Sequence, residues 1–158
     1  MKHLMLAFSI ILAGVCTVRA ESSGNPIEVL EWFDGCALLT QHNNGMTMDT
    51  NCIGIAVDYC TIGRVVEERL QCLVSLSEHV DAVSAEIKTT VPQSIGTSGS
   101  AARRYERQRL QLVEGVFDVC DASPSEEIPP DTWCEMYLSA GNWVNWRHLQ
   151  RLADEVTK

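Results

Sequence analysis

The chain has 158 residues, 46% of them hydrophobic, with 12 basic against 21 acidic side chains and a net charge of −9. That is enough apolar material for one core of ordinary size, and no segment beyond the first 20 residues is long and apolar enough to cross a bilayer. The acidic balance works against nucleic acid and anionic membrane surfaces as partners, because both carry the same sign of charge.

Residues 1–20 carry the three parts of an export signal. Lys2 supplies the positive start, Leu4 to Val15 form a short apolar run, and Val18-Arg19-Ala20 places small residues where a signal peptidase reads. Cleavage after Ala20 is expected, leaving residues 21–158 as a single domain in the periplasm or outside the cell. Ala13-Gly14-Val15-Cys16 also approaches a lipoprotein box, in which Cys16 would be acylated, although Val directly before the Cys fits such a box poorly. Loss of Lys2 and Arg19 with the signal takes the net charge to −11. This charge either keeps an exported protein soluble or draws it to a basic partner.

The rest of the chain reads as helices. Pro26 suits a first helical turn, and Ile27, Leu30, Trp32, Phe33, Cys36 and Leu39 follow at helical spacing. Gln41 to Gly45 is polar and ends that run. Asp49-Thr50-Asn51 is a candidate cap for a short second helix carrying Cys52, Ile53, Ala56, Val57 and Cys60. Val66, Leu70, Leu73, Val80, Val83 and Ile87 then form the stripe of a long amphipathic helix. Thr89 to Ser100, with Pro92 and two glycines, reads as a mobile loop. A fourth helix is expected to carry Tyr105, Leu112, Val116, Val119 and Cys120 on one face, with a basic outer side from Arg103 to Arg109. After the proline-rich stretch Asp121 to Pro130, Thr132 and Glu135 have the spacing of a capping box. They would open a last helix with Trp133, Tyr137, Trp143, Trp146, Leu149 and Leu152, with Gly141 as a point where it could bend. The expectation is an all-α, disulfide-stapled bundle of four to five helices.

Six cysteines remain after the signal, at Cys36, Cys52, Cys60, Cys72, Cys120 and Cys134. An even number in an exported chain implies a disulfide framework. Cys52 and Cys60, eight residues apart on one helix, would be separated by about 12 Å and cannot be bridged. Cys120 and Cys134 flank the proline-rich loop and are expected to pair. The other four pair either as Cys36–Cys52 with Cys60–Cys72 or as Cys36–Cys60 with Cys52–Cys72. No Cys-x-x-Cys and no His beside the cysteines suggests zinc or redox chemistry.

Catalytic signals are weak. His42, His79 and His148 belong to no metal-ligand spacing, with His79 on a polar face and His148 read as a surface residue. There is neither a Gly-x-Ser-x-Gly turn nor a phosphate-cradling glycine loop. The carboxylates read as a solvated acidic surface, and no cofactor is implied. Trp143 and Trp146 share a helix face; that face is either core or an exposed anchor for a protein partner.

Cys52-Ile53-Gly54-Ile55-Ala56-Val57-Asp58-Tyr59-Cys60 and Gln71-Cys72-Leu73 resemble the opening of the LprI-like lysozyme inhibitor domain family. Gln108-Arg109 leading to Asp118-Val119-Cys120, and Cys134 opening a final helix, continue the resemblance over roughly Cys36 to Leu152. The helix after Cys72-Leu73 reads His79-Val80-Asp81-Ala82, where family members usually carry a Trp. The resemblance implies a small exported bacterial protein that is not an enzyme and that acts by occluding a protein partner, such as a basic lysozyme-type enzyme. Two other readings compete. One is a carrier of a small apolar ligand, although the cysteine spacing differs from that of insect odorant-binding proteins. The other is an immunity protein against a cell-wall-degrading toxin.

Overall fold

A computed structural model describes residues 26–40, 45–96, 99–115, 120 and 126–156. The expected signal, its cleavage site and Cys16 lie outside these residues, as does His42. Within them the chain is all-α, with five helices and no strand: α1 (Pro26–Leu39), α2 (Gly45–Thr61), α3 (Val66–Thr90), α4 (Ser100–Val113) and α5 (Pro130–Val156). The two longest, α3 and α5, share the largest interface. Helices α1 and α2 pack on each other and on α3, α2 also packs on α5, and α4 packs on α5. None of the helices is long and apolar enough to cross a membrane.

Helix α1 opens at Pro26, as expected. Its inward stripe is Val29, Phe33 and Ala37, with Ile27 and Leu39 facing out. These three residues repeat every four positions, which sets the buried face one step away from the larger apolar set. Helix α2 begins at Gly45, earlier than a cap at Asp49 to Asn51 would allow. Thr50 lies inside the helix and returns its hydroxyl to the Met46 carbonyl at 2.8 Å.

Helix α3 starts after Val65, with Glu67 and Glu68 in its first turn and Lys88 in its last, the arrangement its macrodipole favours. It stops where Val91 precedes Pro92, because a residue before proline avoids the helical region; Val91 sits at φ −70°, ψ 122°. The expected mobile loop is held over its described part. Val91 and Ile95 are buried, and the Tyr105 hydroxyl donates to the Pro92 carbonyl at 2.6 Å.

Helix α4 is shorter than the expected fourth helix. It ends at Val113, and Gly115 follows at φ 68°, the left-handed conformation that closes many helix C-termini. Val116 and Val119 lie outside the described residues, and Cys120 is not helical. Helix α5 begins at Pro130, so Thr132 is already within it, and it continues unbroken through Gly141.

The disulfides are Cys36–Cys52, Cys60–Cys72 and Cys120–Cys134, with Cα separations of 5.8, 5.3 and 5.5 Å. Cys52 and Cys60 thus sit on one helix and face different partners, α1 and α3. The bridges supplement a core built on Phe33, Leu73, Leu76, Val80, Met136, Trp143 and Leu149.

Non-reducing peptide mapping should return these three pairs. The double substitution Cys60→Ser/Cys72→Ser should lower unfolding free energy by about 2–4 kcal/mol in urea titrations. A loss well under 1 kcal/mol would show that α2 and α3 are held without the bridge.

Candidate functional site

The most buried charge is Asp49, on the second turn of α2, whose side chain is 0% exposed. The Thr40 hydroxyl donates to its Oδ1 at 2.8 Å. Arg147 and Arg151, one turn apart on α5, bring Nε to 3.2 Å from Oδ1 and a terminal guanidinium nitrogen to 2.5 Å from Oδ2. Arg147 also donates to the Ala37 carbonyl at 2.7 Å, and Arg151 to the Thr40 carbonyl at 3.3 Å. Two guanidinium groups therefore satisfy the open carbonyls at the end of α1 while neutralising a carboxylate at the start of α2. Burial pushes Arg147 below its ordinary pKa, the Asp49 carboxylate opposes the shift, and neighbouring Arg151 adds to it. Gly45 leaves room for this arrangement: a Cβ at that position would lie 1.9 Å from the Arg151 guanidinium, which would have to shift from its place on Asp49. The cluster is enclosed, and its chemistry is that of a clamp.

The tryptophan pair faces inward. Trp143 is 0% and Trp146 5% exposed, so neither ring is presented where a partner could reach it. Phe33 packs on Trp143 at 4.8 Å between ring centroids, the Arg147 guanidinium lies 5.0 Å over the same indole, and the Lys88 ammonium lies 5.9 Å from the Trp146 ring. Trp143 thus meets α1 and Trp146 meets α3, both within the core, where burial of two indoles outweighs anything a solvent-facing position would gain. His79 is not simply solvated. It meets Asp34 of α1 at 2.7 Å and packs edge-on against Phe33. His148 is half-buried; burial first, then Arg104 and Arg151, lower its pKa, with Glu155 opposing. Among the described residues no three His, Cys, Asp or Glu side chains gather as metal ligands.

The exposed feature is a groove of about 630 Å³ between α1 and α2. Trp32 and Tyr59 form its aromatic centre, their rings edge-to-face at 5.3 Å. Ile55 and Ile62 extend the apolar surface, and Glu28 and Asp58 supply carboxylates. Among the described residues one cation lines it: Arg64, which is buried and donates its Nε to the Tyr59 carbonyl at 2.9 Å, at the C-terminal end of α2. Tyr59 is 51% and Ile62 73% exposed, which leaves large apolar groups in water at the rim. The sequence signal for this groove lies in and just after α2: Cys52, Ile53, Ala56 and Cys60 face the core, while Ile55 and Tyr59, one turn apart, and Ile62, just past the helix end, face out.

A second groove, of about 460 Å³, runs between α2 and α5 and is lined mainly by apolar side chains, including Ile53, Val57, Met136 and Val144. A smaller hollow of about 380 Å³ lies between α3 and α5, with Glu78, Asp81 and Glu135 around it and the hydrogen-bonded hydroxyls of Ser77 and Ser139, 3.0 Å apart, among its lining residues. Comparison of the chain with protein-family models, with curated proteins and with solved structures gives no match.

Replacing Asp49 with Asn should cost about 3–5 kcal/mol, because it strands buried guanidinium charge; chemical denaturation measures this. His148 gives a pH test. Its folded-state pKa is depressed below 6.5, so the unfolded chain binds its proton first. Its stabilising contribution is full above about pH 6.5 and is lost as pH falls through the lower folded value. The melting temperature of His148→Gln should therefore fall less between pH 7.5 and pH 5 than that of the parent.

Proposed function

We propose that this chain is an exported, non-enzymatic binding protein of the LprI-like kind, which inhibits a basic lysozyme-type enzyme by covering part of its surface with the α1–α2 face. The observation that carries the reading is the Trp32–Tyr59 pair, set between Glu28 and Asp58. Aromatic side chains dominate the energetics of many protein interfaces, and Trp and Tyr do so at small entropic cost. Flanking carboxylates with no free cation among the lining residues favour a positively charged partner, and they raise its rate of encounter more than its final affinity.

The framework suits this role. Cys36–Cys52 fixes α1 to α2, and Cys60–Cys72 fixes the far end of α2 to α3. A groove whose two helices are joined to each other, and one of them to α3, loses little freedom on binding, which is the physical basis of preorganised inhibition. Three disulfides and the resemblance around Cys52, Cys60 and Cys72 support action outside the cytoplasm.

The test is clearing of bacterial cell-wall suspensions by lysozymes of several types, with and without a stoichiometric excess of the oxidised protein. Slowed clearing is expected, weakening as salt is raised. Tyr59→Ala, at an exposed position, should weaken inhibition by about tenfold or more with little change in melting temperature. Undiminished clearing with every lysozyme type would remove the proposal. Inhibition that survives Tyr59→Ala and Glu28→Gln/Asp58→Asn unchanged would move it away from this face.

A further inference from the structure

The groove between α2 and α5 holds two glycines that packing does not require. Gly54 lies in the middle of α2 and Gly141 in the middle of α5, and both line the groove. A glycine within a helix costs about 0.8–1 kcal/mol relative to alanine. The usual compensations are a positive φ or a close neighbour. Neither glycine has a positive φ, and a Cβ built on either would meet nothing within 4 Å. The space left by the missing side chains is the groove itself, and its volume falls within the range of small-molecule sites. Met46 and Met136, flexible and polarisable, add adaptable walls.

The chemistry around the groove selects a ligand class. Its lining is mainly apolar, with polar groups from Thr50, Asn142, Asn145 and the tips of Trp133 and Tyr137. Leu138 and Asn142 are also walls of the hollow bearing Glu78, Asp81 and Glu135, so the apolar groove adjoins a carboxylate-rich one. Among the described residues no Lys or Arg lines either. We propose that the α2–α5 groove binds a small amphipathic amine, with its apolar body against Ile53, Val57, Met136 and Val144 and its cationic head turned towards Glu78, Asp81 and Glu135. This site is separate from the α1–α2 face and stands whether or not that face inhibits a lysozyme.

The experiment uses the oxidised protein and the uncharged fluorescent probe N-phenyl-1-naphthylamine, displaced by decylamine, decanol or decanoate below their micellar concentrations. Displacement should be strongest for decylamine, about fivefold stronger than for decanol given partly solvated carboxylates, and weakest for decanoate. Glu78→Gln/Asp81→Asn/Glu135→Gln should bring decylamine to the level of decanol. Gly54→Leu and Gly141→Leu should each fill the groove, reduce probe binding by about tenfold or more and leave the melting temperature equal or higher, since leucine favours the helix. Probe binding unchanged in folded Gly54→Leu and Gly141→Leu would overturn the proposal. So would decanoate competing as well as decylamine, or a dimer, seen by sedimentation, that excludes the probe and is lost in the leucine variants.

Discussion

Three helices meet at one carboxylate. Asp49 takes the Thr40 hydroxyl from the end of α1, sits on α2, and holds Arg147 and Arg151 of α5. Those arginines reach past it to the carbonyls of Ala37 and Thr40, so the end of α1 is satisfied by side chains that depend on Asp49 for their own charge balance. Interior ion pairs of this kind add little net stability compared with well-packed hydrophobic residues, but they are costly to break. Their value lies in register: one rotation of α5 and one height of α2 bring the three groups together. That register places the α2–α5 groove and turns Trp143 towards Phe33.

Around this clamp, α2 works in three directions. Its inner stripe fills the core, its flank opposes α5 across an apolar groove, and its outer stripe joins α1 in presenting Trp32 and Tyr59. A helix apolar on more than one side would be a liability if it could rotate, since each rotation buries a different stripe. The bridges at Cys52 and Cys60 remove that freedom, as one fixes the helix to α1 and the other to α3. Ile55 and Tyr59 on the helix, and Ile62 just past its end, are thereby kept at the surface.

The helices were legible because periodicity and punctuation agree with tertiary packing: Pro26 opens α1, Val91-Pro92 closes α3, and the stripe through Leu73, Val80 and Ile87 is core. The choice between the two cysteine pairings was also open to a topological argument. Short connections make α1, α2 and α3 successive antiparallel neighbours, which sets Cys36 near the end of α1 beside the first half of α2, and Cys72 near the start of α3 beside its last turn. The end of α4 was missed because Val116 and Val119 extend the apolar period past Gly115, whose left-handed backbone stops the helix. The Asp49 clamp was hidden for a different reason. Asp49 looks like a cap, and its arginine partners stand about a hundred residues away. The available hint was Trp143, Arg147 and Arg151 at four-residue steps, which puts two cations on an apolar face.

The attachments of α4 set it apart. Among the described helices it packs on α5 alone, with Ala102, Tyr105 and Leu112 buried and the Tyr105 hydroxyl donating to the Pro92 carbonyl. Helices α1 to α3, by contrast, are closed into two covalent loops within residues 36–72. Opening free energies within one fold follow this density of attachment. Amide exchange would therefore run as a gradient, fastest along α4 and slowest where α2 meets α3. The basic outer side, Arg103 to Arg109, rides on the segment that detaches first, so the charge asymmetry of the surface is tied to its least secured helix.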